Sequence, residues 1–345
     1  MCAVRAWSQG IAYLAWGALT ASCGREHAGA GPDFELVATH ADADAQPTAR
    51  GRILATLTAH NGRLYAGYGD IDKNTGPIAV AAYDPALRAF VREWTSDTEA
   101  IYTFRVISGR LVAPAVDPRS AADYAVGPPW QDLRPIAADH VYDAASLGGR
   151  ELWLAGSQGL DSVLWRVNED GHGTEVLRVP PADTSGADFG RFYFVLTHLG
   201  RLYVHARDYH RGPKPASLVW DGERWADGPN LLPISEAQGW HPQAFAGRVV
   251  YLSRQTVLPE GSRLLVFDGT AVTLPLAERL RDIAVVGERL VALTVGGRIL
   301  VSSNLAQWTD SMQAPAGARS IGALGRNLYV GTAAGKLYRS RRQLP

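Results

Sequence analysis

Six short stretches in this chain carry aromatic rings, charged side chains or both. They are Tyr102 with Arg105, His140 with Asp143, Arg191 with Tyr193, Trp240 with His241, Arg281 with Asp282, and Arg319 by itself. Rings next to arginine and aspartate are the materials for stacking on a sugar face and forking to its hydroxyls or carboxylates. The same groups can also satisfy one another around a water-filled channel. His140 and Asp143 would form an acid–base dyad only if His140 precedes its strand, since residues three apart on a strand point to opposite faces.

Two other stretches have spacings that bear on specific chemistries. Arg207-Asp208-Tyr209-His210-Arg211-Gly212-Pro213-Lys214 gathers cations around one carboxylate and could meet phosphate or uronate. Asp70-Ile71-Asp72-Lys73-Asn74-Thr75-Gly76 alternates oxygen ligands, yet its glycine and later positions miss the calcium-loop pattern. Gly-x-Ser-x-Gly, His-Glu-x-x-His and phosphate-cradling glycine loops are absent, and no metal or cofactor is expected.

Something must position these clusters, and the repeats say what. A glycine, a charged residue and an apolar run recur seven times, from Gly62-Arg63-Leu64-Tyr65 to Gly325-Arg326-Asn327-Leu328-Tyr329. The glycines lie 38 to 51 residues apart, a spacing typical of propeller blades. Before each comes an apolar run, such as His140–Ala145, that reads as an innermost strand. A third run follows, ending in turn signals such as Asp84-Pro85, Asp221-Gly222 and Asp268-Gly269. The seventh unit stops after three strands, while Phe34–Ala38 is a spare strand at the front. The expected fold is all-β, a seven-bladed β-propeller with that N-terminal strand closing the last blade. The clusters above then stand at the starts of innermost strands and rim the mouth of the central channel.

Ser302-Ser303-Asn304-Leu305-Ala306-Gln307-Trp308 resembles the Asp box, Ser-x-Asp-Gly-x-x-Trp, of sialidase-like (BNR) propellers, with Asn304 for the Asp and Leu305 for the Gly. In that family the box braces a hairpin, so the resemblance implies fold and not catalysis. The arginine triad and Tyr–Glu pair of a sialidase have no matching motif here.

Residues 1–23 read as an export signal: Arg5, an uncharged apolar stretch from Ile11 to Ala21, and Cys23. Thr20-Ala21-Ser22-Cys23 resembles a bacterial lipobox, which implies lipidation of Cys23. Cys2 and Cys23 are the two cysteines, so residues 24–345 hold no disulfide. Residues 24–32 read as a tether and 33–345 as the propeller domain.

The 34 basic residues balance 34 acidic ones, which argues against a nucleic-acid partner. The expectation is a non-catalytic, monomeric lipoprotein of the bacterial cell envelope, in the outer membrane. Its lipid holds it to the membrane, and its propeller binds a glycan, a cell-wall fragment or a partner protein. A polysaccharide-acting glycosidase or lyase, and an assembly scaffold, remain as alternatives.

Overall fold

In a computed structural model, residues 32–119, 122–181, 189–208, 212–233, 238–254 and 261–344 are described. The lipobox, most of the tether, and Tyr209, His210 and Arg211 lie outside them. The chain forms seven four-stranded antiparallel sheets arranged as blades in a ring. The innermost strands are Thr56–His60, Arg105–Ile107, His140–Ala145, Gly190–His198, Gln238–Phe245, Leu280–Val286 and Ala318–Leu324.

Each innermost strand turns back through the recurring glycine motif. In blades one, two, four and five the two turn residues are both left-handed: Asn61-Gly62, Ser108-Gly109, Leu199-Gly200 and Ala246-Gly247. That is the twist a two-residue hairpin requires, and it explains the invariant use of glycine there. The outer hairpins are braced by side chains. The carboxylate of Asp84 accepts from Ala86 and Leu87 N–H, and that of Asp221 accepts from Glu223 and Arg224. Asn304 does the same for Ala306 and Gln307, at 3.0 and 2.9 Å, while Trp308 Nε1 donates to Leu305 O. Asparagine thus supplies the acceptor expected of the Asp-box carboxylate, and Leu305 takes the left-handed backbone (φ 68) of its glycine.

Apolar residues pack between blades. Leu57 and Tyr65 of blade one join Phe104 and Leu111 of blade two and Tyr329 and Leu337 of blade seven in one cluster. The ring closes as the sequence implies: Phe34–Thr39 pairs antiparallel with Lys336–Ser340 as the outer strand of blade seven. Tyr83 meets Tyr329 across the junction, with ring centroids 5.7 Å apart. His40 N–H donates to Gly335 O, and Leu54 N–H to Thr332 O. Blade two, the weakest in the sequence, has short strands, and its third spans Tyr124–Gly127.

Candidate functional site: the channel mouth

The starts of the innermost strands are irregular, and this governs where their side chains go. The pairing register slips between Val141 and Asp143, Phe192 and Val195, Trp240 and Gln243, Leu280 and Asp282, and Ala318 and Ser320. Each slip is a bulge that breaks the two-residue alternation and re-aims the residues before it.

Residues after a slip tie one blade to the next. Asp143 accepts from Ala144 N–H (2.9 Å) and from Val195 N–H of blade four (3.0 Å). Asp282 accepts from Ile283 N–H and, across to blade seven, from Ile321 N–H, both at 2.9 Å. Gln243 bonds both Ile283 O and Val285 N–H of blade six. Ser320 donates to Leu54 O at 2.7 Å.

Arg105 completes this layer. It forks onto Asp143 at 2.7 and 2.6 Å, and its third nitrogen reaches Pro242 O of blade five at 2.7 Å. This strut joins blades two, three and five. Residues 105, 106 and 242–244 line both of the cavities on either side of it, of about 420 and 450 Å³. His140 and Asp143 do not meet: His140 Nδ1 pairs with Asp117 instead.

Beside the strut lies a tight aromatic pocket with a cavity of about 20 Å³. Its walls include Tyr102, Tyr142, Tyr193, Trp240 and Arg254. Tyr142 and Tyr193 rings are 4.7 Å apart, and Tyr102 and Trp240 face each other from blades two and five at 6.5 Å. The Arg254 guanidinium lies over the Trp240 ring, 3.0 Å from its centroid, and the residue is 3% exposed. Burial disfavours its charge, while the nearby Tyr102 and Asp282 favour it. Burial likewise pushes the Tyr102 phenol up to about 12 and the Tyr142 phenol higher.

His241 stacks on Trp240, at 4.6 Å and 24°. It lines the cavity under the strut, and its backbone is left-handed (φ 50). Its Nδ1 meets Asp282 at 2.8 Å, while its buried Nε2 has no hydrogen-bond partner among the described residues.

Of the expected mouth residues, Tyr102, Tyr193 and Trp240 come together in the pocket. Arg105 with Asp143 and His241 with Asp282 form pairs beside it. Arg191 leans on Phe189, 4.4 Å from the ring, and donates to Gly190 O. Arg281 and Arg319 sit at the bulges of blades six and seven and do not line the pocket. Tyr142 and Arg254 are wall residues outside the expected set. Arg254 ends the second strand of blade five, a position that rims the mouth as the strand starts do. Tyr142 lies inside the His140–Asp143 stretch, and only the bulge turns it inward.

Glu99 lies on the crossover into blade two. Burial, then the charge of Asp117, push its carboxyl up to about 7. Among the described residues, no group of three metal-ligating side chains gathers.

No family model and no curated protein matches the chain. Solved structures do. The extracellular domain of the hybrid two-component system BT4673 of B. thetaiotaomicron aligns over 91% of this chain with a TM-score of 0.57 and 15% identity. The chain spans 40% of that domain's length. Virginiamycin B lyase of Staphylococcus aureus aligns over 87% of this chain and 97% of its own, with a TM-score of 0.58 and 8% identity. Both likenesses are of fold: the chain is a seven-bladed β-propeller with bacterial structural neighbours.

Proposed function

We propose that the protein is an exported, lipid-anchored envelope protein whose channel mouth binds an anionic saccharide without reacting with it. The pocket carries this reading: four aromatic rings and a buried guanidinium converge there. The neighbouring carboxylates, Asp143 and Asp282, hold inter-blade hydrogen bonds, and Arg254 supplies the cationic group of the pocket. Rings supply a platform for a sugar face, and arginine supplies a carboxylate or phosphate partner. A thermal-shift panel of uronates, cell-wall fragments and neutral sugars on residues 24–345 tests it. Charged saccharides should raise the melting temperature and their neutral counterparts should not. A neutral sugar shifting it equally would remove the role of Arg254.

One observation favours a second reading, acid–base chemistry on a polysaccharide. Asp282 accepts the Nδ1 proton of His241, which leaves Nε2 free to take or give a proton. Glycoside chemistry would require a second carboxyl across the substrate, and the nearest ones are structural. Release of new reducing ends by the parent protein, abolished in His241→Ala, would establish this second reading.

A further inference from the structure

The hairpin turns that follow the innermost strands lie on the face opposite the mouth, and each carries an arginine. Arg63, Arg110, Arg201, Arg248 and Arg289 occupy one equivalent position, the first residue of the second strand, opposite the last residue of the first. Arg150 and Arg326 lie within the turns of blades three and seven. Every blade therefore adds one guanidinium to a collar around the lower end of the channel.

The fold uses one of these charges in ion pairs. Arg63 pairs with Glu93 and Asp84. The other six have no carboxylate within ion-pair distance among the described residues, and Arg110, Arg150, Arg201, Arg248 and Arg326 are exposed. Glu151 and Glu288 are the two acids in these turns, and the Glu151 carboxylate is engaged by Arg166 and Trp153 of its own blade. Among the other acids on this side, Asp84, Glu169, Asp170, Asp221, Glu223 and Asp268 belong to the outer hairpins, and Asp33 and Glu35, at the start of the closing strand, pair with Arg342 and Arg339. Three of them, Asp84, Asp221 and Asp268, have their carboxylates engaged by turn N–H groups. A chain of net charge zero has thus gathered cations in one ring.

Leu199 adds a second observation. It is 80% exposed at the tip of the blade-four turn, beside Arg201, and its backbone is left-handed (φ 49). Leucine is disfavoured there twice over, by water and by its Cβ, where the same turn in blade one uses asparagine. An exposed, strained apolar residue within a cationic ring suits a surface with phosphates outside and hydrocarbon beneath.

We infer that this collar docks on a bilayer of anionic phospholipid, with the arginines on headgroup phosphates and Leu199 at the acyl boundary. The inference rests on the reading of an exported, membrane-held chain and adds an orientation to it: the aromatic mouth points away from the membrane. Attraction of this kind accumulates per arginine near the surface and is screened by salt.

The test uses residues 24–345 without the lipid, since the ring closes within residues 34–340. Co-sedimentation is measured with phosphatidylglycerol–phosphatidylcholine vesicles and with phosphatidylcholine alone. Binding to the anionic vesicles, lost in high salt, is expected. The triple variant Arg201→Glu, Arg248→Glu, Arg326→Glu should bind on the order of 100-fold more weakly. Leu199→Gly should melt higher than the parent yet bind vesicles less, a combination that a structural role would not give. Equal binding to neutral vesicles, no binding at low salt, or an unaffected triple variant would overturn the inference. So would retention on a carboxylated polysaccharide resin without vesicle binding. Saccharide binding at the mouth is read separately in Trp240→Ala, so failure of that reading leaves the vesicle result standing.

Discussion

Removing the Asp143 carboxylate should open the channel's central layer. Asp143→Ala strips Arg105 of its bidentate partner and Val195 of an acceptor from the preceding blade. The Asp143 and Arg105 side chains are 4% and 16% exposed, so the guanidinium is left in a poorly solvated place. Breaking a buried pair from one side costs about 3–5 kcal/mol, and the orphaned N–H adds to that. Arg105→Met should cost less, about 2 kcal/mol, because Asp143 keeps its two backbone donors. Arg105→Met with Asp143→Ala should then be less destabilised than the sum of the single changes. Urea denaturation of the four proteins, monitored by tryptophan fluorescence, gives the cycle. An Asp143→Ala loss below about 1 kcal/mol, or strict additivity, would refute the view that this pair supports the ring.

Three further outcomes follow from the structure. Deleting residues 33–40 removes the closing strand of blade seven and should lower the melting temperature strongly; a melt like that of the parent would deny that strand a role in closure. Burial holds His40 and His205 down at about 4 from 6.5. The unfolded chain therefore binds more protons between those values, and each histidine withdraws about 3 kcal/mol of stability as pH falls from 6.5 to 4. A His205→Gln variant should show a shallower acid loss in urea midpoints taken across that range, and an unchanged slope would contradict the assignment. Glu99 works in the opposite sense, since its raised pKa penalises the folded state above pH 4.5. Glu99→Gln should stabilise the protein at pH 8, with the gain gone by pH 4.5, and a gain that persists at pH 4.5 would speak against it.

Much of the architecture was legible because it repeats. Glycine at a left-handed hairpin position is a strong local signal, and seven copies fixed blade number and the location of inner strands. The spare segment Phe34–Ala38 could be placed because a ring leaves one strand unpaired at each end. The site was legible only in part. Tyr102, Tyr193 and Trp240 read as mouth groups because they stand at strand starts, and the structure brings them together. Two-residue alternation fails at a bulge, however, and bulges leave no mark in the sequence. Asp143 and Asp282 therefore read as mouth groups, whereas the structure has them holding blades together, and His140 takes Asp117 from another blade. Arg254 was missed because nothing in residues 248–254 shows that its guanidinium will lie on Trp240.

The most direct test of an anion-binding mouth is a calorimetric titration of oligogalacturonate into residues 24–345 and into Trp240→Ala. Saturable binding by the parent, absent for the neutral galactose oligomer and lost in Trp240→Ala, is the expected result. Binding that survives in Trp240→Ala, or that the neutral oligomer matches, would contradict it.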